Sequence, residues 1–287
     1  MKKNLSIISA IFAGVFWATT GIFVRILSRY GMDSVQITCV RLITSAIFMS
    51  IFLFFKDRHL FKIKLIDLPF FIAAGIISIF LTSVFYFKTI SLTSVSVACV
   101  LMYTAPIFVL IFSVILFKEK ITLKKIIAVL LAVVGCFLVS GALSQDSKIS
   151  LSALFFGLLS GITYASYSIF GKFILKKYSP LTLTLYSFIF SAVASLLMLN
   201  FKLVGNLILE NTELLLLYPL TGLCTSVIAY LLYSISLKRL EPSVAVVLSS
   251  VEPLVATLFS IFILSDPFTA SIGAGIAIII VSIIVLQ

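Results

Sequence analysis

Apolar stretches of about 20 residues recur along the whole chain, separated only by short polar punctuation. Each is long enough to cross a ~30 Å hydrocarbon core as a helix. Spans are expected at Leu5–Leu27, Val35–Phe55, Leu68–Thr89, Ser94–Phe117, Leu123–Leu143, Leu151–Leu175, Leu181–Phe201, Leu214–Leu237, Val244–Leu264 and Phe268–Leu286. A soluble fold is excluded by composition: 62% of residues are hydrophobic, 11% are charged and the mean hydropathy is +1.28, against roughly 45–50% and 25% for a soluble domain. Ten such spans leave connections averaging under about ten residues, with no room for a soluble catalytic or binding domain. Function therefore has to be built inside the membrane.

Cys39, Cys99, Cys136 and Cys224 all fall within apolar spans without C-x-x-C spacing, as buried small hydrophobes do. No metal site or cofactor is expected. Met1-Lys2-Lys3 precedes an apolar run too long for a signal peptide, so that run is expected to be retained as the first span.

The positive charges orient the spans. With the N-terminus cytoplasmic, one side holds Lys2, Lys3, Lys56, Arg58, Lys62, Lys64, Lys118, Lys120, Lys124, Lys125, Lys172, Lys176, Lys177, Lys238 and Arg239. The other holds only Arg25, Arg29, Lys88, Lys148 and Lys202. The positive-inside rule then places both termini in the cytoplasm, in the cell membrane. The formal charge of +11 is mostly this topology signal; dispersed over loops, it offers no basic face to nucleic acid.

The chain also repeats itself. An offset of 147 residues aligns Gly75 with Gly222, Tyr86 with Tyr233, Ser96-Val97-Ala98 with Ser243-Val244-Ala245, Pro106 with Pro253, Glu119 with Asp266 and Thr122 with Thr269. It also aligns Gly14 with Gly161, Trp17 with Tyr164 and Arg25 with Lys172. Two five-span units are expected, residues 1–143 and 150–287, joined by a polar linker at Ser144–Ser150. An odd number of crossings per unit inverts the second copy, so the expected fold is an all-α integral membrane protein of ten transmembrane helices in two inverted five-helix repeats. Such repeats suit alternating access around a site between them.

The two five-span halves, Pro106-Ile107-Phe108 ahead of Lys118-Glu119-Lys120, Pro253-Leu254-Val255 ahead of Ser265-Asp266-Pro267, and the short Ser91–Val95 turn resemble the EamA branch of the drug/metabolite transporter superfamily. The resemblance covers essentially the whole chain. It implies a ten-helix secondary carrier with a central cavity lined mainly by spans 1, 3, 4, 6, 8 and 9, in a family that exports amino acids and other metabolites. Asp266-Pro267 departs from the family pattern, which more often has Glu followed by a basic or small residue.

Glu252 lies midway along the ninth span, where an ionisable group costs about 2.5–3.5 kcal/mol to insert and needs a partner, water or a proton. In a dry setting it would keep its proton and could couple transport to protons; in a hydrated cavity it would attract a substrate ammonium. Satisfaction by a neighbouring helix is the structural alternative. Pro253 and its repeat partner Pro106 deprive the carbonyls of Ser249 and Met102 of helical donors, so both helices should break in matching places, to line a solute path or simply to pack. Ser249, Ser250 and Glu252 facing Tyr103 form the best pocket candidate. Trp17, Tyr164, Tyr86 and Tyr233 offer aromatic walls or serve as packing. Arg41, about two turns from the outer end of its span, either anchors the helix by snorkelling or pairs with a carboxylate. Lys88 either guards the outer mouth or is a solvated interfacial lysine. Gly157-x-x-x-Gly161 and Ala10-x-x-x-Gly14 give spans 6 and 1 faces where backbones can approach.

An enzyme is not expected: His59 is the sole histidine, in a basic loop, which removes H-E-x-x-H zinc sites and serine–histidine pairs, and no catalytic residues are assigned. The leading reading is a carrier exporting an amino acid or related small solute, working in the lipid bilayer as a monomer or homodimer with protons as a candidate coupling ion. A proton-coupled exporter of lipophilic cations uses the same ingredients; a channel or scaffold is the remaining alternative.

Overall fold

The computed structural model describes residues 2–141, 149–264 and 267–286. Most of the expected linker and the Ser265-Asp266 pair lie outside the described residues. All the regular structure among the described residues is helical. Numbered in chain order, segments 1 (Asn4–Ser28), 2 (Ser34–Lys56), 3 (Leu65–Leu92), 4 (Val95–Phe117), 6 (Leu151–Leu175), 8 (Leu214–Arg239) and 9 (Pro242–Ile263) are long and apolar enough to cross a membrane. Segments 5 (Leu123–Val139), 7 (Pro180–Ser195) and 10 (Ala270–Leu286) are shorter apolar helices of 17, 16 and 17 residues. The ten expected spans thus correspond to seven full-length helical runs and three shorter ones.

Polar residues at the segment starts set the boundaries by accepting backbone hydrogens left free at helix N-termini. Asp33 accepts from Gln36, Thr122 from Lys125, Ser150 from Ala153 and Ser179 from Thr182. Segment 7 differs from expectation. It ends at Ser195 instead of running to Phe201, and Asn200 caps a separate helix, Phe201–Glu210. The reason is a helical pattern on a small scale: Leu203, Val204, Leu207 and Ile208 share one side, with Lys202, Asn206 and Glu210 on the other. The apolar side packs with Leu27, Met32, Ile37, Val40, Leu214 and Tyr218.

Packing follows the repeat. Segment 1 lies against segments 8 and 9, and segment 6 lies correspondingly against segments 3 and 4. Segment 2 packs on 7 and 8 as segment 7 packs on 2 and 3, while segments 5 and 10 pair with each other. Exchanging the halves therefore maps these segment pairings onto themselves. Even a local irregularity is shared: segment 3 is π-helical over Ala73–Leu81 and segment 8 over Leu223–Ile228. Wide π turns accumulate at functional sites, and here both lie on segments flanking the centre of the bundle.

Glycines permit the closest crossings. A Cβ on Gly75 would stand 2.6 Å from the Ser187 carbonyl, and one on Gly222 would stand 3.1 Å from the Arg41 carbonyl, so segments 3 and 8 approach segments 7 and 2 backbone to backbone.

Candidate functional site

Segments 4 and 9 are each broken. Segment 4 comprises Val95–Met102 and Ala105–Phe117, with Pro106 in the first turn of the second piece. Segment 9 comprises Pro242–Ser249 and Val251–Leu264, with Glu252 in the first turn and Pro253 directly behind it. Proline lacks the amide hydrogen that a carbonyl four residues earlier would accept. The Ser249 carbonyl, the one deprived by Pro253, faces segment 1, where a Cβ on Gly14 would lie 2.5 Å from it. In the other half a Cβ on Gly161 would lie 3.0 Å from the Leu101 carbonyl and 3.3 Å from that of Met102. Each glycine-faced helix therefore crosses the break of its partner at backbone contact distance.

Tyr103, Pro106, Tyr164, Val246, Ser249, Ser250 and Glu252 line a cavity at these breaks, of about 10 Å³, which is room for roughly one water. The hydroxyl of Tyr164 donates to Glu252 Oε2 at 3.5 Å, and Tyr103 lines the same cavity. Ser249 and Ser250 donate to the Val246 carbonyl within their own helix, at 2.9 and 3.0 Å. Tyr86 lies behind this shell, joined to Cys99 at 3.0 Å. Lys88 is exposed and is not among the residues lining this cavity.

Trp17 makes the aromatic wall. Its ring meets Tyr230 edge-on at 5.1 Å, Tyr233 at 5.2 Å and Tyr164 at 6.3 Å. Tyr167 adds a further edge contact to Tyr230 at 4.9 Å. Tyr233 is held by Ser168 at 2.7 Å and Tyr167 by Ser234 at 3.1 Å. These tyrosines bring their polar ends to partners while packing their rings, as buried tyrosines must. Tyr230 and Tyr167 were not singled out in the sequence. Tyr230 lies three residues before Tyr233, a helical spacing that puts both on one face.

Arg41 is half-buried, its Nε is buried without a hydrogen-bond partner, and no ion pair of its side chain occurs among the described residues.

The lysine-rich face is tied shut between the halves. Lys125 Nζ reaches Glu119 at 3.3 Å and Glu241 at 2.6 Å, and Ser243 donates to the same Glu119 oxygen as Lys125. Glu119 and Lys125 are each 8% exposed, so this cluster is screened far less than a surface pair. The turn placing Glu119 there uses Lys118 in the left-handed region, φ 54°. A second tie joins Lys177 to Asp67 at 2.6 Å, with Tyr178 donating to the same carboxylate at 2.8 Å. The hydrogen bond to Asp67 holds the Lys177 ammonium above the usual lysine range. Above this face Pro242–Ser249 packs against Ala105–Phe117, whereas the repeat-equivalent pieces toward the other face, Val95–Met102 and Val251–Leu264, are not in comparable contact among the described residues.

The EamA-like transporter family model matches residues 4–141 and again 151–287. An uncharacterized transporter of Archaeoglobus fulgidus is 28% identical, covering 99% of this chain and 98% of its own. The uncharacterized transporter YwfM of Bacillus subtilis is 27% identical over 100% and 95%, and the uncharacterized inner membrane transporter YicL of Salmonella typhimurium is 24% identical over 98% and 94%. A solved crystal structure superposes with a TM-score of 0.80 at 16% identity, over 99% of this chain and 96% of the other, a likeness of fold.

Proposed function

Because the chain belongs to the EamA-like transporter family and is a multi-pass membrane transporter, we propose that it is a secondary carrier exporting a small amino acid-like solute by alternating access. The observation that carries this reading is Glu252: a carboxylate in the first turn after a helix break, held by Tyr164, in a cavity also lined by Tyr103 where both broken helices and both glycine-faced helices meet. An anionic oxygen beside freed backbone carbonyls suits an organic ammonium, and the adjoining Trp17, Tyr230 and Tyr233 rings suit an apolar body attached to it.

Alternating access is supported by the asymmetry of the closures. The lysine-rich face, which we assign to the cytoplasm, is latched between segments 4 and 9, and the equivalent contact on the other face is looser. In a two-half carrier that combination is one end of a rocking motion whose other end exchanges the roles of the halves. Its neutral carboxyl form would let Glu252 exchange a proton for the solute, which couples export to the proton gradient.

Uptake of labelled amino acids into inside-out vesicles tests the reading. Accumulation should follow an imposed proton gradient and vanish in Glu252→Gln. Gradient-driven accumulation undiminished in that variant would contradict the assignment of Glu252.

A further inference from the structure

We infer that the lysine-rich face carries a binding site for the phosphate headgroup of an anionic phospholipid, in the cavity between the connection ahead of segment 3 and the residues that follow segment 6. The site is separate from the Glu252 centre and stands whichever solute is carried.

A cavity of about 410 Å³ opens here, lined by Lys62, Ile63, Lys64, Asp67, Lys177 and Tyr178. That is room for a ligand of headgroup size. A second cavity of about 140 Å³ shares Asp67, Lys177 and Tyr178 with the first and continues to Phe70, Phe173 and Lys176. The two form one depression, polar at one end and apolar at the other. Leu65, Ile66 and Phe70, in the first turns of segment 3, are exposed, as side chains that meet acyl chains are. A phospholipid has the same two-part chemistry, with its phosphate at the boundary.

Four lysines meet one carboxylate in this depression, and the carboxylate is already engaged. Asp67 receives Lys177 Nζ at 2.6 Å on one oxygen and the Tyr178 hydroxyl at 2.8 Å on the other. The Lys64 amide donates to the Tyr178 hydroxyl at 3.0 Å, which holds the connection against the end of segment 6. Lys62, Lys64 and Lys176 are exposed and make no ion pair among the described residues. Lys176 is nonetheless positioned, its Nζ lying 5.3 Å from the centre of the Phe117 ring and 5.1 Å from that of Phe173, within cation–π range. Uncompensated ammonium groups around a cavity at the end of membrane segments suit an anionic headgroup. Since Lys62 and Lys64 belong to the first half and Lys176 to the second, one bound lipid bridges the halves.

The repeat supplies an independent mark. Across the 147-residue offset Lys62 corresponds to Leu209, Lys64 to Asn211 and Lys177 to Tyr30; of the four, only Lys176 has a basic counterpart, Arg29. The opposite face keeps a tie at the equivalent place, Tyr30 to Glu213 at 3.1 Å. The duplicated framework therefore needs the tie but not the other lysines.

The test counts lipids retained by the purified full-length protein, in uncharged detergent, by native mass spectrometry. Phosphatidylglycerol and phosphatidylcholine with identical acyl chains are offered together. The first lipid retained by the wild type should be phosphatidylglycerol, by about ten-fold or more. Joint replacement of Lys62, Lys64 and Lys176 by glutamine should reduce that preference to within about two-fold. Joint replacement of Lys56, Lys120 and Lys124, exposed lysines of the same face that line neither cavity, should leave it intact. Equal losses in the two triple variants would overturn the inference in favour of diffuse attraction to the whole face. Absence of the preference in the wild type would overturn it without any variant, so a poorly folded variant leaves the test intact. Glycerophosphoglycerol, the headgroup without acyl chains, should compete about a hundred-fold more weakly than the lipid; competition at equal concentration would reassign the site to a soluble phosphate. None of these readings depends on transport, so the carrier reading stands or falls separately.

Discussion

Lys125 of the first repeat and Glu241 of the second are joined at 2.6 Å across the mouth of the lysine-rich face. Lys125 also contacts buried Glu119, whose second oxygen, Oε1, has no partner. On the opposite face the repeat-equivalent positions of Lys125 and Glu241 are Ile272 and Ser94. Among the described residues only the lysine-rich mouth carries such an ionic latch, and in the absence of solute the balance should rest with that mouth closed.

Removing the cation should open it. Lys125→Met leaves Glu119 buried without its counter-ion, a change of about 3–5 kcal/mol for a buried pair, enough to shift a two-state equilibrium by more than a hundred-fold. A cysteine placed at Ser243 should then react with a membrane-impermeant thiol reagent from the lysine-rich side much faster in the Lys125→Met background than with Lys125 in place. Equal rates would show that the latch does not hold the mouth.

The glycine crossings predict a position-specific response to a single methyl group. Gly14→Ala drives its Cβ against the Ser249 carbonyl and should destabilise the protein by about 1–3 kcal/mol, as overpacking does. Gly21→Ala meets nothing within 4 Å and should leave the unfolding temperature unchanged or slightly higher. A bulkier replacement at Gly161 should abolish transport at normal expression, because it wedges segment 6 from the break in segment 4.

Glu252→Gln keeps the shape of the side chain and removes its charge and its titration. Proton-driven flux should fall to background while solute exchange at zero gradient persists. A pH profile of transport identical to wild type would exclude Glu252 as the coupling group.

The Lys177–Asp67 tie predicts an alkaline limit. The ammonium is held above its ordinary value of 10.5, so the stabilisation is fully present below that pH and is lost as pH rises through the raised value. Asp67→Asn removes the tie, so its unfolding midpoint should lie slightly below that of the wild type at neutral pH, and the difference should shrink as pH rises past about 10. A difference that grows with alkaline pH would contradict the assignment. The side chain of Lys177 is exposed, so the effect is small.

The architecture was legible in the sequence because bilayer thickness converts apolar length directly into helices and because duplication leaves matching residues at a constant offset. Tyr103, Ser249, Ser250 and Glu252 could be grouped for the same reason: the two prolines mark equivalent depths in two helices. Arg41 was ambiguous since its depth along segment 2 is readable from the sequence but its direction is not. The latch was equally out of reach, because Glu119 and Glu241 are brought together by the fold of two distant loops. The Phe201–Glu210 helix was missed because the apolar Leu196-Leu197-Met198-Leu199 stretch carried the expected span through to Phe201; the Asn200 cap was the available signal.

Counterflow in proteoliposomes tests the central claim most directly. Vesicles containing the purified protein and loaded with unlabelled amino acid should transiently accumulate external labelled amino acid above equilibrium, with an initial rate that saturates in external concentration and disappears in Glu252→Ala. Flux that rises linearly with concentration, or an overshoot that survives Glu252→Ala undiminished, would contradict a carrier that works through this carboxylate.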